Sequence, residues 1–251
     1  MDEEYILNIL THYISVVERE RSNTVFGVFL KGSQNYNLDT EESDIDAVAL
    51  LIPTKDMLIS NLKLNPHSIT SQYGIISVMD IRDFGKGLLN GNPQMLEILN
   101  TNFYIIKNNS YHIKWINLKL FSSDFEYIDP RRTLESLKGQ AKSYYNNFKK
   151  SKEIDGKNLM HLVRLNNLIG NYCSDYDYRK KSFASKMKNP SELTSLRNVE
   201  KTKNINSYAD SLLEHLMTFS LKFLYPIDYD TPSREIDNFI LDLIREELKI
   251  K

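Results

Sequence analysis

With 251 residues, 41% hydrophobic and 26% charged, the chain has the balance of one large or two small globular domains, which excludes a fibrous or low-complexity protein. Its one cysteine, Cys173, excludes a disulfide framework and a cysteine-based zinc site; no apolar run would span a bilayer, and the acidic start, Asp2-Glu3-Glu4, is unlike a signal peptide, so a cytoplasmic protein with no membrane partner is expected. The net charge of −1 is uneven: residues 131–203 carry 17 basic and 7 acidic side chains, a net +10, against −7 for 1–130 and −4 for 204–251. A basic middle segment suits a triphosphate, an RNA or other nucleic-acid backbone, or a solvated helical surface.

Residues 2–21 carry Ile6, Ile9, Leu10, Tyr13, Ile14 and Val17 at helical spacing, which predicts an amphipathic helix packed on a sheet. Val25 to Leu30 and Ala47 to Ile52 are short apolar runs that predict two buried strands. Between them, Gly32-Ser33 predicts a tight turn, and Asp44 and Asp46 open the second strand. Residues two apart on a strand share a face, so both carboxylates are expected to point the same way. Two adjacent carboxylates are relieved by a cation between them, and Mg²⁺ binds through one or two carboxylates together with substrate phosphates. A glycine-serine turn gives phosphate oxygens close access to backbone and hydroxyl. Together these point to chemistry on a nucleoside triphosphate.

With its flanking strands, Gly32-Ser33 through Asp39-Thr40 to Ser43-Asp44-Ile45-Asp46 resembles the DNA polymerase β-like nucleotidyltransferases, and among them the small bacterial and phage group of predicted nucleotidyltransferases. The resemblance implies an α+β fold: a mixed sheet with flanking helices over residues 1–125, followed by an all-helical domain over 126–251. It also implies transfer of a nucleoside monophosphate from a triphosphate to an acceptor hydroxyl. Gly32 and Ser33 would hold the triphosphate, Asp44 and Asp46 the Mg²⁺ or Mn²⁺ cofactor. A third carboxylate on a neighbouring strand would complete the site and serve as base.

Residues 53–72, with Pro53, Pro66 and His67, predict a loop or short helix, His67 being solvated. Tyr73 to Met79 predicts a third strand, and aligning it with the family puts Ser77 where the third carboxylate belongs. A serine neither binds metal nor accepts a proton well at neutral pH. Asp80 is the candidate substitute for catalysis, although alternation turns it to the other face unless the strand ends first. Reduced turnover, or nucleotide binding without turnover as in a regulator, stays open.

A helix is predicted from Asp80 to Asn90, and a second from Pro93 with Asn92 as its cap. Glu97, in a segment resembling the family's NPxxLEIL, is expected to be structural and to pair with Arg82. Phe103 to Ile106 predicts another strand, Tyr111 to Phe121 a helix.

From Asp129-Pro130 onward only helices are predicted, over 131–150, 157–173, 206–224 and 234–249. Lys157, His161 and Arg164 match the family's KxxxHxxRL pattern, and spacings of four and three put them on one helix stripe. A cationic stripe there would grip a triphosphate, or His161 would be a hydrogen-bonded core histidine. Residues 175–205 form a polar basic stretch in which Tyr176, Tyr178 and Phe183 would stack on a base or pack in a loop. Nucleic-acid binding through residues 131–203, with a vestigial nucleotide site, is the other open reading. The sequence leaves oligomeric state open.

Overall fold

A computed structural model of the chain describes residues 2–40, 43–126, 128–151, 156–174, 183, 190–199, 202–221 and 230–249. The fold is α+β: a five-stranded mixed sheet with flanking helices, followed by a helical C-terminal region. Helix α1 (Glu3–Glu20) leads into β1 (Thr24–Lys31), a 3₁₀ turn over Ser33–Tyr36 and β2 (Asp46–Ile52). Short α2 (Lys55–Ile59) precedes a hairpin of β3 (His67–Ser71) and β4 (Gly74–Asp80). Helices α3 (Ile81–Leu89) and α4 (Pro93–Asn100) then lead to the short β5 (Tyr104–Ile106). Helices α5 (Asn109–Leu120), α6 (Ser122–Glu126), α7 (Pro130–Lys150), α8 (Gly156–Ser174), α9 (Pro190–Ser195), α10 (Lys203–Thr218) and α11 (Asp230–Glu247) follow.

Strand order is β3-β4-β2-β1-β5; β2 runs antiparallel to β1 and parallel to β4. A bulge between Val25 and Gly27 changes the alternation of β1. As a result Val25, Val28 and Leu30 pack under α1, while Phe26 and Phe29 face the other layer. On the α1 side, Ile6, Ile9, Leu10, Tyr13 and Val17 bury against Ala47, Ala49, Leu51, Ile76 and Val78, the predicted helical stripe meeting the predicted strand faces. On the opposite side, Phe26, Phe29, Val48 and Leu50 share one continuous core with α3, α4, α5, α7, α8, α10 and α11. That core crosses the expected boundary near residue 125, and α11 returns to the sheet: Tyr111 and Thr24 both donate to the Glu247 carboxylate.

Most predicted elements stand within a few residues of their expected limits. Two stretches differ: His67–Ser71 within 53–72 forms an edge strand rather than a loop, and Pro190–Ser195 within the expected loop 175–205 forms a short helix. The short, polar, half-exposed run His67–Ser71 lacks the apolar alternation by which a strand is recognised. Among the described residues no helix is long and apolar enough to cross a membrane.

Candidate functional site

The antiparallel pairing of β1 and β2 brings the two motif halves to the same end of the sheet. β1 ends at Lys31 and β2 begins at Asp46, and these two residues are register partners. Gly32 follows with φ 99°, ψ −155°, a conformation that side-chain-bearing residues rarely adopt. The Ser33–Tyr36 turn closes through Leu38 N–H to Ser33 O at 3.0 Å. Buried Gln34 ties the halves together, its amide donating to the Asp44 carbonyl. Asn35 donates to Leu30 O at 2.9 Å and accepts from Thr101 Oγ1 at 2.7 Å, which fixes the turn to the end of α4.

The acid pair is held mainly through its middle residue. Ile45 is buried; its N–H donates to Tyr73 O at 2.7 Å, and its carbonyl accepts from the Tyr13 hydroxyl at 2.8 Å. Asp44 is exposed and precedes β2, while Asp46 is half-buried and accepts from Ile75 N–H at 2.9 Å. Burial, partly opposed by the hydrogen bond from Ser71, and the charges of Asp46 and Asp44 push the Tyr13 phenol above its ordinary value, so it remains a donor. Gly74 has φ 151°, and a Cβ there would stand 2.6 Å from Ile45 O. Glycine at 74 thus lets the β3–β4 turn lie against the backbone that carries both acids.

By register, Ser77 lies opposite Val48, on the same face as Asp46 and one step further into the sheet. Asp80 is not brought to the pair. It aligns with Leu51, five positions along β2, about 16 Å at strand rise. It also sits on the opposite face, 1% exposed. There it caps α3 through Arg82 N–H at 2.9 Å and pairs with the Arg82 guanidinium at 2.6 Å. The hydrogen bonds that Arg82 donates to Asp80 are the main cause that raises the Arg82 pKa. So Arg82 pairs with Asp80, not with the expected Glu97.

Glu97 belongs to a buried cluster joining three distant segments. Arg164, 6% exposed at its side chain, stacks 4.2 Å over the Tyr36 ring and lies 3.6 Å from Glu97. Burial opposes the Arg164 charge, and Tyr36 and Glu97 more than offset it, so its pKa stands above the ordinary value. The expected cationic stripe is therefore not one surface. Lys157 is exposed, and His161 stacks on Tyr144 at 4.8 Å. Burial first, then the charges of Arg164, Lys157 and Arg197, lower the His161 pKa to about 3, leaving it neutral.

Between this cluster and the sheet lies a cavity of about 300 Å³. Lys31, Asn35, Ser77, Gln94 and Glu97 line it, and His67, at the start of β3, stands at its rim rather than in a solvated loop. His67 also accepts from Arg21 at 2.9 Å. From the C-terminal region, Arg197 donates to Leu38 O at 2.6 Å and steadies the loop leading to the acids. Arg197, Gln34 and Gly74 were not singled out from sequence, and Tyr13 only as part of the α1 apolar stripe: each acts through backbone contacts that residue type and spacing do not encode. Of the basic 175–189 stretch only Phe183 is described, and it is buried against Tyr172, not open to stack on a base. Tyr176, Tyr178 and the basic cluster 179–181 lie outside the described residues.

The chain matches no family model and no curated protein. Among solved structures it is similar to the crystal structure of a nucleotidyltransferase-like protein from Exiguobacterium sibiricum, with 10% identity and a TM-score of 0.31 over 96% of this chain and 76% of that one. A likeness that faint carries no weight for fold or activity.

Proposed function

We propose that the chain is a metal-dependent nucleotidyltransferase that moves a nucleoside monophosphate from a triphosphate to an acceptor hydroxyl. The observation that supports this most is the meeting of the Gly32-Ser33 turn and the Asp44/Asp46 pair at one sheet end, locked by Gln34 and by the Lys31–Asp46 register. Neither motif alone would support it.

The donor set fits one hard divalent ion. Asp44 and Asp46 offer two carboxylates, and among the described residues no group of three His, Cys, Asp or Glu side chains gathers. Mg²⁺ accepts such a set when water and phosphate oxygens fill its other positions. Bound there, the ion supplies charge neutralisation and lowers the pKa of the attacking hydroxyl. Gly32 leaves its Cα face open for a phosphate to approach, and Ser33 offers its hydroxyl. Lys31, beside Asp46 at the cavity wall, is the cation placed to meet phosphate. Arg164 is buried behind Glu97 and His161 stacks, half-buried, on Tyr144, so in this reading both support the site rather than contact the phosphates.

A second reading, a nucleotide-binding regulator without turnover, is favoured by Ser77, which stands opposite Val48 on the face of Asp46, and by Asp80's engagement with α3. The deciding experiment supplies each α-labelled triphosphate with Mg²⁺ or Mn²⁺ and total RNA or cell lysate. Label transferred by the wild type and lost in Asp44→Ala/Asp46→Ala supports the transferase. Metal-dependent binding without transfer supports the regulator.

A further inference from the structure

Ser77 from β4 and Glu97 from α4 face the same cavity. Ser77 supplies no carboxylate, and Asp80 is committed to Arg82. Among the described residues lining the cavity, Glu97 is the one carboxylate.

Arg164 holds Glu97 at that wall, but loosely. The guanidinium is buried, yet its Nε and Nη1 have no hydrogen-bond partner, and its Nη1 stands 3.6 Å from the Glu97 carboxylate. A closed arginine–carboxylate fork would bring these atoms to about 2.8 Å. The Tyr36 hydroxyl is likewise buried without a hydrogen-bond partner. Burial, and then the charge of nearby Glu97, push its pKa up. Tyr36 and Arg164 thus orient Glu97 from behind, and its side chain keeps 19% exposure.

We infer that Glu97 supplies, from α4, the carboxylate that β4 lacks, and that the cavity seats the acceptor hydroxyl. The assignment rests on the transferase reading above. In the step it describes, the acceptor oxygen forms a bond to the α-phosphorus of the triphosphate. The bond from that phosphorus to the α,β-bridging oxygen breaks, pyrophosphate leaves, and the hydroxyl proton passes to Glu97. The walls favour a sugar-sized group rich in hydroxyls: Asn35, Ser77 and Gln94 supply hydrogen-bonding groups, and Val48, Met79 and Met95 an apolar face. A ribose at an RNA end and a free small sugar share that chemistry.

The test is label transfer from α-labelled ATP, GTP, CTP and UTP by the full chain with Mn²⁺, in one arm with total RNA and in the other with the small-molecule fraction of a lysate. Loss of a general base costs about 10²–10⁴-fold. Glu97→Gln is expected to lose transfer by at least a hundredfold at unchanged triphosphate affinity. Glu97→Gln/Ser77→Asp, which puts a carboxylate back on the other wall, is expected to regain at least tenfold. If Glu97→Gln does not fold, Glu97→Gln/Arg164→Gln removes both charges of the pair, and Ser77→Asp is added to that background. Transfer by Glu97→Gln, or by Glu97→Gln/Arg164→Gln where that is the variant used, within a few-fold of the wild type overturns the assignment while the transferase reading stands. So does a loss that Ser77→Asp fails to rescue. A wild type that moves no label in either arm overturns both. The arm that takes label distinguishes an RNA end from a free sugar.

Discussion

Arg164 lays its guanidinium 4.2 Å over the ring of Tyr36, joining a helix of the C-terminal region to the turn that follows Gly32-Ser33. Glu97 completes the contact from α4 at 3.6 Å. The segment after the Gly32-Ser33 turn, α4 and α8 therefore meet in one buried cluster behind the cavity.

Breaking that cluster on one side is expected to be costly. Removing one partner of a buried ion pair leaves an uncompensated charge, at about 3–5 kcal/mol. Because the pair is long and Glu97 retains some exposure, the lower end applies to Arg164→Met. Arg164→Met/Glu97→Gln is expected to cost less than the two single changes summed, and urea unfolding of the four proteins measures the coupling.

His161 gives the protein a pH signature. Its folded-state pKa, lowered to about 3 by burial and neighbouring cations, lies below the unfolded value of about 6.5. The unfolded chain therefore takes up the proton first. The stability from neutral His161 is fully present above about pH 6.5 and is lost as pH falls towards 3, on the order of 2 kcal/mol by pH 4.5. His161→Phe, which retains an aromatic face for Tyr144, is expected to flatten this part of the pH–stability curve. Urea midpoints of both proteins at pH 7 and 4.5 check it.

The strands and helices of the motif region were legible because their apolar periods are long and bounded. The Gly32-Ser33 and Asp44/Asp46 motifs were legible because β1 and β2 are adjacent in sequence. The edge strand His67–Ser71 was not, since its side chains are half-exposed and polar. Nor was the partner of Glu97: Arg82 is the nearer basic residue in sequence, but Asp80, two residues before it, captures it at the start of α3. Lys157, His161 and Arg164 have the spacing of one stripe, yet tertiary packing splits them into an exposed lysine, a neutral histidine and a buried arginine. Helical spacing alone does not report that difference.

Asp80 separates structure from site chemistry. Asp80→Asn keeps an oxygen to cap α3 but removes the charge facing Arg82, a loss expected at about 2 kcal/mol. Because the residue lies on the opposite face from the acid pair, Mn²⁺ affinity is expected to stay within about twofold of the wild type once the protein is held well below its unfolding midpoint. Urea unfolding and a Mn²⁺ titration read the two effects separately.

Gly74→Ala should do the reverse. Its Cβ would meet Ile45 O at 2.6 Å, with a backbone φ of 151° that alanine rarely adopts. Strain of this kind costs about 1–3 kcal/mol, and relieving it moves the backbone between Asp44 and Asp46. A loss of Mn²⁺ affinity larger than the loss of stability explains is the expected outcome, from the same two measurements.

The central claim is that the Gly32-Ser33 turn and the Asp44/Asp46 pair hold a metal–triphosphate as one site. The most direct measurement is binding of non-hydrolysable α,β-methylene triphosphates to the purified chain, with and without Mn²⁺, alongside electron paramagnetic resonance of the bound ion. One triphosphate should bind only with Mn²⁺, and affinity should fall at least tenfold in Asp44→Asn/Asp46→Asn with an unchanged urea midpoint. Triphosphate binding equal with and without the ion, or undiminished in that double variant, would contradict the account.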